Sequence, residues 1–277
     1  MSGPGTDVSS AASLIDLIDR RCAVAHTATI PARPGVIGMP DQPVEPGLLD
    51  RLGVDHLWSH QAAALDRIRA GESVVLTSGT GSGKSLSYQI PVIEGVLQGP
   101  SPHTSLLLFP TKALAHDQLT TLATLGIDEV TATTYDGDSS RDHRAWARRR
   151  ANVLLTNPEM LHSGILANHR RWAPFLSRLR YVVVDELHLL RGVFGTNFAH
   201  LLRRLRRIAS HHGAEPQFVF CSASLGQPAQ LASDLCGLDV HPITTDGAPR
   251  GERIFIVCDP FQARHPPATW RAAASVT

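Results

Sequence analysis

Val74–Gln89 reads VVLTSGTGSGKSLSYQ, an apolar run followed by three glycines, four serines, two threonines and one lysine. Glycine weakens strands and helices alike, so a cluster of it directly behind an apolar run needs a reason. A ligand that approaches the backbone closely supplies one. Gly79, Gly81 and Gly83 let successive backbone N–H groups turn inward as an anion-binding nest, and a helix starting near Lys84 would point its positive end at the same place. Lys84 adds a point charge suited to β- and γ-phosphates, and the Ser85 hydroxyl suits Mg²⁺. The stretch departs from G-x-x-x-x-G-K-[ST] at its first position, Ser78. A plain glycine-rich turn is one rival reading. A dinucleotide fingerprint is the other, but it has no use for Lys-Ser and asks for an acidic strand end about 20 residues on. The stretch reads as a phosphate loop.

Around it the pattern alternates. Apolar runs of strand length recur at Val74–Thr77, Leu106–Phe109, Val130–Thr134, Val153–Thr156, Tyr181–Val184 and Phe218–Cys221. Helix-period segments lie between most of them. In KALAHDQLTTLATLG, for example, Leu114, Gln118, Leu122 and Leu125 fall near one face and Gly126 can close the helix. Strands apolar throughout and separated by helices predict an α/β fold, a doubly wound, mostly parallel sheet with helices on both faces. Nearly every run ends in polar residues: TSGTGSGKS, PTKA, TYDGD, TNPE, DELH, SAS. Open α/β sheets bind ligands outside the carboxyl ends of their strands, so these endings predict one polar rim.

Composition bounds the rest. The 277 residues are 43% hydrophobic and 18% charged, with a net charge of +1, so no global field draws the chain to nucleic acid. Cys22, Cys221, Cys236 and Cys258 are scattered without a C-x-x-C pair, which argues against a metal cage or a disulfide framework and fits a reducing cytosol. No long uncharged apolar run and no basic-then-apolar leader is present, so the expected location is the cytoplasm, away from membranes. Three regions are expected: a flexible, proline-rich extension over residues 1–47 with a short helix at Leu14–Arg20, a nucleotide-binding domain over 48–245, and a linker over 246–277. None of the 14 histidines has metal-ligand spacing.

RYVVVDELH places Asp185 and Glu186 at the end of an apolar strand. Adjacent carboxylates there are costly to desolvate without a cation or hydrogen bonds. Asp185 suits Mg²⁺, and Glu186 suits orienting and deprotonating an attacking water. A solvated strand-to-helix turn with an N-cap aspartate is the bland reading, and the phosphate loop about a hundred residues earlier outweighs it.

SHQ (Ser59–Gln61), SGTGSGKS, PTKALA (Pro110–Ala115), TNPEML (Thr156–Leu161), DELH (Asp185–His188) and SAS (Ser222–Ser224) resemble motifs Q, I, Ia, Ib, II and III of superfamily 2 helicases, in order. D-E-x-H is the DExH form. YDGD, TNPEMLH and DELHLLRGVFG most resemble bacterial DNA-repair helicases of the mitomycin-repair type and their mycobacterial-type relatives. The resemblance spans roughly Leu57–Arg253 and implies a RecA-like domain that binds ATP and Mg²⁺. Gln61 would read the adenine edge. Ser78, Gly79, Thr80, Gly81, Ser82, Gly83, Lys84 and Ser85 would hold the phosphates. Ser85 and Asp185 would hold Mg²⁺, with Lys84 and Glu186 catalytic. Thr111, Lys112, Thr156 and Asn157 would hold the backbone of single-stranded DNA, with RNA as an alternative. His188, Ser222 and Ser224 would couple the two sites.

The resemblance also implies a second RecA-like domain carrying arginine fingers, and no Q-x-x-G-R-x-G-R-like motif follows Ser224. The expectation is therefore the N-terminal motor half of a 3′–5′ DNA helicase, nearly inactive alone, or a stand-alone nucleotide- and nucleic-acid-binding module. The run LLRRLRRI (Leu201–Ile208) is expected to bury Leu201, Leu202, Leu205 and Ile208 and leave its arginines solvated.

Overall fold

The computed structural model describes residues 18, 23–98, 101–223 and 225–259. They divide into two units, Gly35–Ala248 and a smaller one drawn from residues up to Pro34 and from Pro249 onward. The strands are β1 (Ala23–Ile30), β2 (Ile37–Gly38), β3 (Leu57–Trp58), β4 (Ser73–Thr77), β5 (Thr104–Leu108), β6 (Ala132–Tyr135), β7 (Val153–Thr156), β8 (Leu179–Val184), β9 (Gln217–Ser222), β10 (Val240–Ile243) and β11 (Arg253–Asp259).

Seven of them form the sheet of the larger unit in the order β10-β4-β9-β8-β5-β7-β6, every pair parallel. Side chains alternate between two cores. Val75, Leu106, Leu108, Leu154, Val182, Val184, Phe218 and Phe220 face one. Val74, Leu76, Leu107, Val153, Leu155, Val183, Val219 and Cys221 face the other. Helices Ser59–Arg69, Leu86–Leu97 and Lys112–Thr124 cover the second face, and helices Arg141–Arg150, Gly192–His211 and Pro228–Cys236 the first. Burial on both faces is why these strands read as unbroken apolar runs. In helix Gly192–His211 the buried Phe198, Leu201, Leu202, Leu205 and Ala209 make the inward stripe.

The structure departs from the sequence reading in four places. β10 was not expected, because VHPI contains Pro242; as an edge strand of the sheet, β10 tolerates a residue that cannot donate to a ladder. The larger unit starts at Gly35 rather than Leu48, since β2 pairs with β3 and helix Pro46–Arg51 follows. Part of the expected flexible extension is β1, which pairs antiparallel with β11 in the expected linker. Such long-range pairing leaves no local signature. The helix expected at Leu14–Arg20 lies outside the described residues apart from Ile18, which is helical. Fourth, the LLRRLRRI arginines are not simply solvated. Arg203 donates to Asp234 O (2.8 Å), and Arg206 to Cys236 O and Gly237 O (both 2.9 Å), so they satisfy carbonyls at the end of helix Pro228–Cys236.

One surface cluster predicts a pH effect. His169 Nδ1 lies 3.0 Å from His212 Nε2, and the His211 ring is 5.1 Å from that of His212. Desolvation first, then His211 and His169, push the His212 pKa down. An unfolded histidine titrates near 6.5, so below that pH the unfolded chain binds a proton that the native one resists. Stability is therefore expected to fall as pH drops from 6.5 toward the lowered native value. Melting temperatures between pH 7.5 and 5.5 should drop less for His212→Gln than for the parent; equal drops would remove His212 from the account.

Candidate nucleotide site

The phosphate loop follows β4. Gly81 and Gly83 have φ of +76° and +77°, which residues with a Cβ adopt only under strain. Two of the three glycines in the quoted stretch are thus required by backbone conformation. At Gly83 a Cβ would also lie 2.6 Å from Gln61 Nε2. Ser78 Oγ and Ser82 Oγ lie 2.6 Å apart within the loop, and Ser78 N donates to Ser222 O at the end of β9 (3.4 Å). Lys84 Nζ donates to Ser78 O (3.0 Å) and Gly79 O (2.9 Å), which keeps the ammonium over the loop. The N–H groups of Leu86, Ser87 and Tyr88 bond to Gly83, Lys84 and Ser85 carbonyls, so a tight first turn leads into helix Leu86–Leu97.

Gln61 lies where expected in the chain but in an unexpected role. It is 1% exposed; Oε1 accepts from Trp58 N (2.8 Å) and Nε2 donates to Gly83 O (2.9 Å). In this conformation its amide shapes the phosphate loop instead of facing a base.

Asp185 and Glu186 follow β8, two strands from β4 across β9. Asp185 N donates to Leu108 O (3.1 Å), which fixes the turn to β5. Glu186 has φ +56° and ψ +44°, the one non-glycine residue with positive φ among those described. That left-handed turn is strained for a side chain with a Cβ, and such strain concentrates at functional sites. It lets Asp185 Oδ1 accept the Glu186 N–H (2.9 Å) and brings Glu186 Oε2 to 3.1 Å from His188 Nδ1. Desolvation pushes the Asp185 pKa up, with the Glu186 charge adding to it, while the Glu186 N–H, Lys84 and His188 oppose. A buried carboxylate at a strand end is costly to ionise without a compensating charge, and a divalent cation would supply one. With Ser85, Asp185 would hold Mg²⁺, and the loop N–H groups with Lys84 would hold a polyphosphate. Ser222 Oγ is buried without a protein partner; Ser224 lies outside the described residues.

A second polar group lines the ends of β5, β6 and β7. Phe109 N bonds Thr156 O (3.0 Å), joining the PTKA and TNPE turns. Thr111 caps helix Lys112–Thr124, its hydroxyl accepting from Leu114 N (3.3 Å), and Asn157 accepts from Met160 N (2.9 Å). Lys112 Nζ pairs with Asp138 Oδ2 at 2.5 Å on the surface. Thr156 differs from expectation: it is 3% exposed and its hydroxyl donates to Tyr135 O (2.5 Å), so it ties β7 to β6 and presents no hydroxyl to a strand. The sequence reading missed Asp138 as the partner of Lys112, although YDGD flagged its loop.

A parallel sheet with a phosphate loop after one strand and an acidic pair after a near neighbour defines a P-loop nucleotide-binding domain of the RecA-like kind. Residues 58–232, more than half the chain, match DEAD/DEAH box helicase, and the chain belongs to that family. It is 40% identical over 216 residues to the uncharacterized ATP-dependent helicase YprA of Bacillus subtilis, covering 76% of this chain and 29% of that protein. To the ATP-dependent helicase HRQ1 of Saccharomyces cerevisiae it is 38% identical over 245 residues, covering 86% and 23%. The crystal structure of the DUF1998 helicase MrfA bound to DNA superimposes with a TM-score of 0.84 at 37% identity, covering 91% of this chain and 36% of that one. MrfA bound to DNA and AMPPNP gives 0.83 at 36% identity over 89% and 35%. The chain thus spans under a third of the length of either curated relative. Among the described residues no helix is long and apolar enough to cross a membrane.

Proposed function

We propose that this chain is the ATP-binding domain of an ATP-dependent DNA helicase, acting 3′–5′ in repair, that works with a second RecA-like domain. The observation that carries the reading is the placement of the phosphate loop after β4 and of the Asp185–Glu186 turn after β8, two strands away across β9, on the same carboxyl edge of a parallel sheet. Loop N–H groups and Lys84 bind the phosphates, Ser85 and Asp185 hold Mg²⁺, and Glu186 accepts a proton from the attacking water. Mg²⁺ supplies charge neutralisation on the phosphate oxygens. Support for DNA comes from the MrfA structures, which hold it.

Thr111, Lys112 and Asn157 form a sequence-blind track for a single strand at the ends of β5 and β7, with the Thr156 hydroxyl acting behind it. Asp138 occupies the Lys112 ammonium that a phosphate would take. Asp138→Asn is expected to tighten single-stranded DNA binding about two- to fivefold, the range that an exposed ion pair carries. Lys112→Ala should flatten the slope of log K against log salt by about 0.7, the contribution of one phosphate. Fluorescence anisotropy against KCl measures both. Unchanged affinity and slope in the two variants would remove this track and, with it, the nucleic-acid half of the proposal.

A further inference from the structure

The phosphate loop is gripped at both ends. At one, Gln61 Nε2 donates to Gly83 O. At the other, Gly79 N–H donates to Asp246 Oδ2 (3.2 Å) across 167 residues of sequence. Asp246 lies just past β10 and belongs to none of the motifs described above. Its other oxygen accepts Ala248 N–H (3.0 Å), closing a short turn. Gly247, inside that turn, donates to His60 Nδ1 (3.2 Å) and accepts from Val36 N (2.8 Å). A Cβ at position 247 would lie 2.2 Å from Ser59 Oγ, so glycine permits the close approach. The turn is thereby fixed to Ser59 and His60, at the start of the helix from which Gln61 reaches Gly83.

We infer that Asp246 is a positioning residue of the phosphate loop, the second arm of a clamp whose first arm is Gln61. The clamp sets the span from Gly79 to Gly83, inside which the glycine-rich backbone would otherwise sample many conformations. A carboxylate accepting from a backbone N–H makes a charge-assisted bond, about twice as strong as a neutral one. The two arms share one anchor, so the loop's shape depends on how residues 246–248 pack on Ser59 and His60. This inference rests on the loop being a nucleotide site.

Two readouts on the 277-residue chain test it: affinity for fluorescently labelled ADP, with adenosine as the phosphate-free probe, and amide hydrogen exchange. Asp246→Ala should weaken ADP binding about tenfold, the low end of what a hydrogen bond to a charged group carries, because the residue acts on the phosphates only through the loop. It should leave adenosine binding unchanged and speed exchange at Gly79–Gly83 while β4 and β9 stay protected. Asp246→Asn keeps one acceptor oxygen and should fall between parent and alanine; it also serves if the alanine variant fails to fold. Parent-like ADP affinity with parent-like loop exchange overturns the inference. So does tighter ADP binding, which would make Asp246 a competitor of the phosphates. If the parent and Lys84→Ala both fail to bind ADP, the nucleotide reading fails, and loop exchange in the Asp246 variants still decides whether the clamp exists.

Discussion

Glu186→Gln is expected to lower ATP hydrolysis by about 10²–10⁴-fold while leaving ATP affinity within about threefold, the range that a positioned general base contributes. The amide matches the carboxylate in size but cannot accept a proton from water. The left-handed backbone at Glu186 stays available to glutamine at the same strain, since both side chains carry a Cβ. The turn keeps its anchors, Asp185 N to Leu108 O and Glu186 N to Asp185 Oδ1. Single-turnover hydrolysis of radiolabelled ATP suits the measurement because it resolves slow rates. Parent-level hydrolysis in the variant would mean that another group takes the proton.

Lys84→Ala is expected to weaken ATP binding tenfold to about a hundredfold, since a hydrogen bond to a charged group is worth roughly 1.5–3 kcal/mol. Lys84 donates to Ser78 O and Gly79 O, so its ammonium already lies over the loop that would receive the phosphates. The fold should survive, because β4 and the helix after the loop are held by two apolar cores to which Lys84 does not belong. Calorimetry with ATP, paired with a melting curve, separates the two effects. Equal affinity in parent and variant would sink the phosphate-loop assignment.

Much of this was legible in the sequence because its causes are local. A strand buried on both faces must be apolar at every position, so β4, β5, β7, β8 and β9 announced themselves as continuous runs. Gly81 and Gly83 were legible because only glycine enters left-handed backbone freely, Lys84 from its place in the G-K-S pattern after them, and Asp185 and Glu186 because charge at the end of a buried strand needs a reason. β10 was hidden by Pro242, which reads as a strand breaker until its edge position is known.

Sequence alone determined the class of sheet, the phosphate loop and the acidic pair, since each follows from what neighbouring residues can do. Tertiary structure decided the rest. It turned Gln61 inward to Gly83, committed the Thr156 hydroxyl to Tyr135, paired Lys112 with Asp138, and brought Asp246 to Gly79 from the far end of the domain. In each case a polar group is satisfied by a partner across a fold contact. A polar group gains by having a partner, most of all when it is buried, but only the packing of the chain selects which one.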